Sequence, residues 1–90
     1  MEKIRIPLHV TTTFFDKSAV LLDLQKNTYY ALNNSAADLW KFLMQSGSYE
    51  KALQELTELY AEPTDAIRKD MEGLVKSLVQ AGLLERASQP

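Results

Sequence analysis

The chain has 90 residues, no cysteine and a formal net charge of −2. This length fits one domain spanning 1–90, with a modest core at about 3–86 and no room for a separate catalytic module. The slight acidity gives no electrostatic excess for nucleic acid or an anionic membrane, and the lack of cysteine excludes disulfides, zinc–thiolate sites and thiol nucleophiles.

The opening segment, Met1-Glu2-Lys3-Ile4-Arg5-Ile6-Pro7, lacks the long apolar core of a secretory signal, and no apolar run has the length of a membrane span. A cytoplasmic location is the expectation. Ile4, Ile6, Leu8 and Val10 alternate with Lys3, Arg5, Pro7, His9 and Thr11, the period of a strand with one buried face. Pro7 has no amide proton to donate, which puts that strand at a sheet edge.

Ala19-Val20-Leu21-Leu22-Asp23-Leu24 is nearly continuous in apolar character, as expected of a central strand with cover on its faces. Gln25-Lys26-Asn27-Thr28 supplies a polar turn in which Asn27 suits a positive φ. Thr28-Tyr29-Tyr30-Ala31-Leu32 then has strong strand propensity. If spatial order follows sequence order, this third strand is the other edge. It carries neither proline nor charge, so its backbone is open to pairing with another chain, a state that sheet edges usually suppress.

Asn33, Asn34 or Ser35 can cap a first helix whose Ala36, Leu39, Trp40 and Leu43 fall at i, i+3, i+4 and i+7. Ser46-Gly47-Ser48 ends it. A second helix opens at Ser48 and is expected to bury Tyr49, Ala52, Leu53, Leu56, Leu59 and Tyr60, until Glu62-Pro63-Thr64 breaks the chain. The third helix takes Thr64 as cap and Ile67, Met71, Leu74, Val75 and Leu78 as its apolar stripe, with Gly82 as a stop. Leu83 to Arg86 return briefly toward the sheet, and Ala87 to Pro90 read as a frayed tail. Three strands followed by three helices give an α+β fold in which the helices cover one face of an antiparallel sheet.

Two segments carry a family resemblance. The first runs from Ala19 to Leu43: a strand containing Leu22-Asp23-Leu24, a turn, Tyr29-Tyr30-Ala31-Leu32-Asn33, and a helix with Leu39 and Trp40. The second is the closing pattern Asp70, Leu74, Leu78, Gly82 and Leu83. Together they resemble the PqqD family, whose members hold the leader segment of a ribosomally made precursor peptide while other enzymes modify its core. The resemblance implies a winged helix-turn-helix-like fold, and recognition without catalysis or a cofactor. It is nearest to the stand-alone leader-binding proteins of lasso peptide biosynthesis, which deliver the leader to a leader peptidase before a cyclase closes the ring. Members devoted to pyrroloquinoline quinone synthesis commonly carry an acidic residue and glycine after the first helix, where this chain has Ser46-Gly47-Ser48.

The expected mechanism is strand addition. An extended leader pairs with the backbone of Thr28, Tyr29, Tyr30, Ala31 and Leu32, and its alternate side chains enter a groove beside the third helix. Tyr29 and Ala31 face one side of the sheet and Tyr30 and Leu32 the other, so only one set lines the groove. The adjacent tyrosines cannot share a face, which predicts one in the core and one exposed. The resemblance places the binding helix at the third helix, where Ile67, Arg68, Met71, Glu72 and Val75 are the candidates. Met71 can adapt to a variable apolar side chain, and Arg68 can pair with an acidic leader residue.

Each assignment competes with a plainer role. Apolar stripes at helical spacing are more often core than binding surface, which suits Ile67, Leu74 and Leu78. Trp40 belongs to the core beneath the sheet, Asp70 can be a structural hydrogen-bond acceptor, and His9, the sole histidine, stands at an outward position without an acidic neighbour. No motif supports catalysis or metal binding. The rivals are a PqqD-like chaperone for a radical-enzyme pathway such as pyrroloquinoline quinone synthesis, a winged-helix DNA-binding protein, and a subunit that pairs with its own copy through the open edge or an exchanged hairpin. DNA binding is disfavoured because the third helix mixes Arg68, Lys69 and Lys76 with Asp65, Asp70 and Glu72.

Overall fold

The computed structural model describes residues 2–88. Its elements are β1 (Glu2–Arg5), β2 (Val10–Phe14), β3 (Ser18–Asp23), β4 (Thr28–Asn33), α1 (Ser35–Ser46), α2 (Tyr49–Tyr60), α3 (Thr64–Gln80) and β5 (Glu85–Ser88). The order β2-β3-β4 forms a three-stranded antiparallel sheet, which the three helices follow. This is the α+β arrangement that the periodicities imply.

The N-terminal strand differs from expectation. Lys3 to Thr11 is not one strand, because the chain turns after Pro7, where the Val10 N–H donates to the Pro7 carbonyl at 3.0 Å. Proline cannot continue a ladder through its own nitrogen, and here it starts a tight turn instead. The alternation inverts at that point, with Pro7 buried and Leu8 fully exposed. β1 then leaves the main sheet and pairs antiparallel with β5, matching Ile4 with Arg86 and Arg5 with Glu85. The C-terminal segment therefore forms a strand through Ser88, where a frayed tail was expected, while Gln89 and Pro90 lie outside the described residues.

β3 is central, yet only one of its faces is covered. Ala19, Leu21 and Asp23 are buried beneath the helices, whereas Leu22 and Leu24 are exposed. The helices form a single layer, so the apolar run from Ala19 to Leu24 leaves half its side chains facing outward. The turn after it is built by Asp23, whose Oδ1 accepts from the backbone N–H groups of Gln25 at 3.0 Å and Lys26 at 3.1 Å. Asn27 completes the turn at φ 54°, a left-handed conformation that asparagine tolerates.

Leu39, Trp40 and Leu43 of α1, Leu53 and Leu56 of α2 and Val75 of α3 meet Leu21, Leu83 and Leu84 in the core. Each such side chain contributes about 1.5–3 kcal/mol through burial. Trp40 is fully buried, as expected, and its Nε1–H donates to Thr12 Oγ1 at 2.9 Å, which ties α1 to β2. Gly47 closes α1 at φ 66°, donating its N–H to the Leu43 carbonyl, and Ser48 caps α2 by accepting from the Lys51 N–H.

Some expected details change. Asn34 occupies the cap position of α1 without a side-chain cap bond, and Pro63, not Thr64, precedes α3. Thr64 instead shares a hydroxyl contact with Thr57 at 3.2 Å. Leu59 and Tyr60 are exposed because the last turn of α2 runs past the core, and the Tyr60 hydroxyl donates to the Asp38 carboxylate on α1.

Candidate peptide-binding edge

Among the described residues β4 pairs with β3 alone, so its other side is a free edge. The Asn34 N–H donates to the Lys17 carbonyl at 2.9 Å, and the register continues through Leu32 with Ala19 and Tyr30 with Leu21. Alternation of an antiparallel ladder then turns the even-numbered backbone groups toward β3 and those of Tyr29, Ala31 and Asn33 outward. N–H and C=O groups of three alternate residues are therefore presented along an edge that has neither charge nor proline.

The side chains alternate with the backbone. Tyr30 and Leu32 share the helix-covered face with Leu21 and Ala19, while Tyr29 and Ala31 lie beside Leu22 and Val20 on the uncovered face. Thr28 is exposed at the start of the strand. Leu32 is buried, but neither tyrosine is: Tyr29 is 74% exposed and Tyr30 36%. The expected division into one core and one exposed tyrosine fails because the covered face ends at β4, where the helix layer no longer closes over it.

α3 runs antiparallel alongside this strand. Near the start of β4, the Lys26 Nζ donates to the Ala81 carbonyl at the end of α3, at 3.2 Å. Beyond the end of β4, Asn34 and Ser35 share a cleft of about 260 Å³ with Ile67, Asp70 and Met71 of α3. Between these points Tyr30 and Leu32 lie on the helix-covered face of β4, Tyr30 partly exposed and Leu32 buried.

The two flanks of α3 have different surroundings. Arg68 is held by Glu50 of α2 through two hydrogen bonds, at 2.7 and 2.8 Å. This bidentate bond pulls the Glu50 carboxyl below its ordinary pKa and raises the Arg68 guanidinium. Glu72 lies 3.8 Å from Arg86 of β5, and Arg86 stands over the Tyr49 ring. Burial, followed by the Glu72 carboxylate beside it, raises the Tyr49 hydroxyl. Arg68 and Glu72 thus face α2 and β5, away from β4.

Asp70, one turn before Leu74 and two before Ser77, lies on the flank next to β4. Ile67, Met71 and Val75 belong to the core, with Val75 fully buried and the other two nearly so. Leu74, which spacing alone assigns to the core, is half-buried at its margin. The sequence signal for this flank was the offset of Asp70 and Leu74 from the Ile67–Met71–Val75–Leu78 stripe, but choosing the flank required the position of β4.

His9 also departs from its expected solvated position. Its Nε2 lies 3.9 Å from Oδ1 of buried Asp23, because the Leu24 N–H bonds to the His9 carbonyl and brings the strand ends together. Among the described residues, no group of histidine, aspartate and glutamate could hold a metal ion, and no helix is long and apolar enough to cross a membrane.

The geometry defines an α+β protein with an accessible sheet edge alongside an antiparallel helix. The family model described as coenzyme PQQ synthesis protein D (PqqD) matches residues 18–84, and the chain belongs to the PqqD family. It is similar to a solved structure described as TbiB1 in complex with the TbiA(beta) leader peptide, at 25% identity and a TM-score of 0.84, covering 90% of this chain and 94% of that one. It is also similar to a structure described as lasso peptide synthetase B1 complexed with the leader peptide, at 28% identity and a TM-score of 0.79, covering 92% and 98% of the two chains. No curated protein matches the chain.

Proposed function

We propose that the chain binds the leader segment of a precursor peptide in lasso peptide biosynthesis and presents it to a leader peptidase, after which a cyclase acts on the core. The chain acts by recognition and performs no chemistry itself. The observation that carries this reading is the free β4 edge. Tyr29, Ala31 and Asn33 turn their backbone groups outward there, and α3 passes both ends of the strand. Both similar structures are described as leader-peptide complexes, which supports the choice of ligand.

Strand addition at β4 supplies main-chain hydrogen bonds to a leader of any sequence, so specificity comes from its alternate side chains. Those pointing inward meet Tyr30 and Leu32 on one wall and the α3 flank of Asp70, Met71 and Leu74 on the other. Thr28 and Tyr29 border the Lys26 end, while Ile67 and Val75 support α3 from the core. Arg68 and Glu72 hold α3 against α2 and β5, on the side away from the leader.

An isotope-labelled sample titrated with the leader encoded beside the gene tests this reading. Saturable amide shifts along residues 28–33 and 67–77 are expected. Their absence at high peptide excess would refute it.

A further inference from the structure

At the Lys26 end of β4 lies a second cleft, of about 850 Å³. Arg5, Lys26 and Arg86 line it together with His9, and Glu85 is the one carboxylate among its described lining residues. Val79 and Leu84 contribute an apolar floor. A local positive surplus is notable in a chain whose formal net charge is −2.

The cations are partly engaged. Arg5 donates to Glu85 through its Nε at 2.7 Å, and Arg86 has Glu72 and the Tyr49 ring beside it. Lys26 donates to the neutral carbonyl of Ala81, which leaves its positive charge uncompensated by that partner. Buried Asp23 stands behind His9 with one oxygen committed to the turn.

We infer that this cleft is a carboxylate-binding subsite that takes acidic side chains of the leader just C-terminal to the stretch paired with β4. The inference rests on the leader-binding reading and adds a direction and a charge to it. Every pairing in the main sheet is antiparallel, and antiparallel addition is slightly more stable per residue than parallel. β4 runs from the Lys26 turn toward Asn34, so an antiparallel leader enters beside Asn34 and leaves beside Lys26. The entry end carries Glu62 and Asp70 in one cleft, and Asp16 and Asp38 against the single cation Lys17 in the adjoining one. Those carboxylates repel an acidic segment at entry, whereas the exit end attracts it.

Two leader peptides test the subsite: the leader from the precursor encoded beside the gene, and a copy whose acidic residues after the paired stretch are replaced by Asn and Gln. Both are expected to shift residues 28–33. Only the parent should also shift His9, Gln25, Lys26 and Gly82, and bind about five- to tenfold more tightly at low salt. That advantage should shrink at high salt. Lys26→Glu should weaken the parent by a similar factor and favour a leader carrying Lys in place of those acids, while Arg5→Gln, on an exposed strand, should act in the same direction.

Equal affinity for the two peptides, β4 shifts without cleft shifts, or a precursor with no acidic residue in that stretch would overturn the inference and leave leader binding intact. Absence of shifts along β4 as well would remove both.

Discussion

On one flank of α3, Arg68 grips Glu50 with two hydrogen bonds and Glu72 approaches Arg86, so the helix is fixed to α2 and β5. On the other flank, one turn of the same helix presents Asp70 and half-buried Leu74 toward a strand that pairs with nothing on that side. Helices of small domains usually bury one stripe and expose the rest. Here the exposed part is itself divided into an anchored side and an open side, and the open side adjoins outward-facing backbone. The anchored side fixes the helix to its neighbours, and the open side is the one that adjoins β4.

Changes that break the shared foundation should have the largest effect. Val75→Ala, at the fully buried centre of the helix, is expected to cost about 2 kcal/mol of stability, read as a lower urea midpoint with an unchanged slope. Next comes the edge. Ala31→Pro removes an outward N–H and leaves the β3 ladder in place, so leader affinity should fall about tenfold or more while the far-ultraviolet dichroism is retained. An unchanged affinity in calorimetry would remove strand addition at β4.

The flanks can then be compared directly. Tyr30→Ala and Leu74→Ala should each weaken the leader by about three- to tenfold, whereas Arg68→Ala should lower stability slightly and barely change affinity. The reverse pattern would exchange the roles of the two sides. The smallest effect concerns the Tyr60–Asp38 contact at the Asn34 end of β4. The hydrogen bond to Asp38 pushes the Tyr60 hydroxyl up to about 12, above its ordinary value of about 10 in an unfolded chain. Its contribution is complete below pH 10 and is lost as pH rises toward 12. Tyr60→Phe should therefore differ most from the parent at neutral pH and converge with it at strongly alkaline pH in chemical denaturation.

Much of this arrangement is legible along the chain. The alternation of Tyr29, Tyr30, Ala31 and Leu32, the turn at Asn27, the stop at Gly47 and the stripe from Ile67 to Leu78 follow from local periodicity and backbone preference, and the structure keeps each of them. The charge-free, proline-free composition of residues 28–33 marks an edge that has not been blunted. Local reasoning failed at Pro7, where strand alternation continued on paper through a residue that starts a turn. It failed again at the tyrosine pair, where one ring was expected in the core and neither is buried.

The remaining features depend on residues far apart in sequence. Arg68 faces Glu50 and not β4 because α2 crosses that flank, and Lys26 reaches Ala81 only after α3 has returned along β4. β1 pairs with β5 across nearly the whole chain, which brings Arg5 and Arg86 to the same cleft as Lys26. Sequence alone determined β3, β4 and the three helices and left β4 free of charge and proline, because those properties belong to neighbouring residues. Only the tertiary structure decided which flank of α3 is open and where the charges gather, because a helical period fixes spacing around the axis without fixing what stands opposite each side.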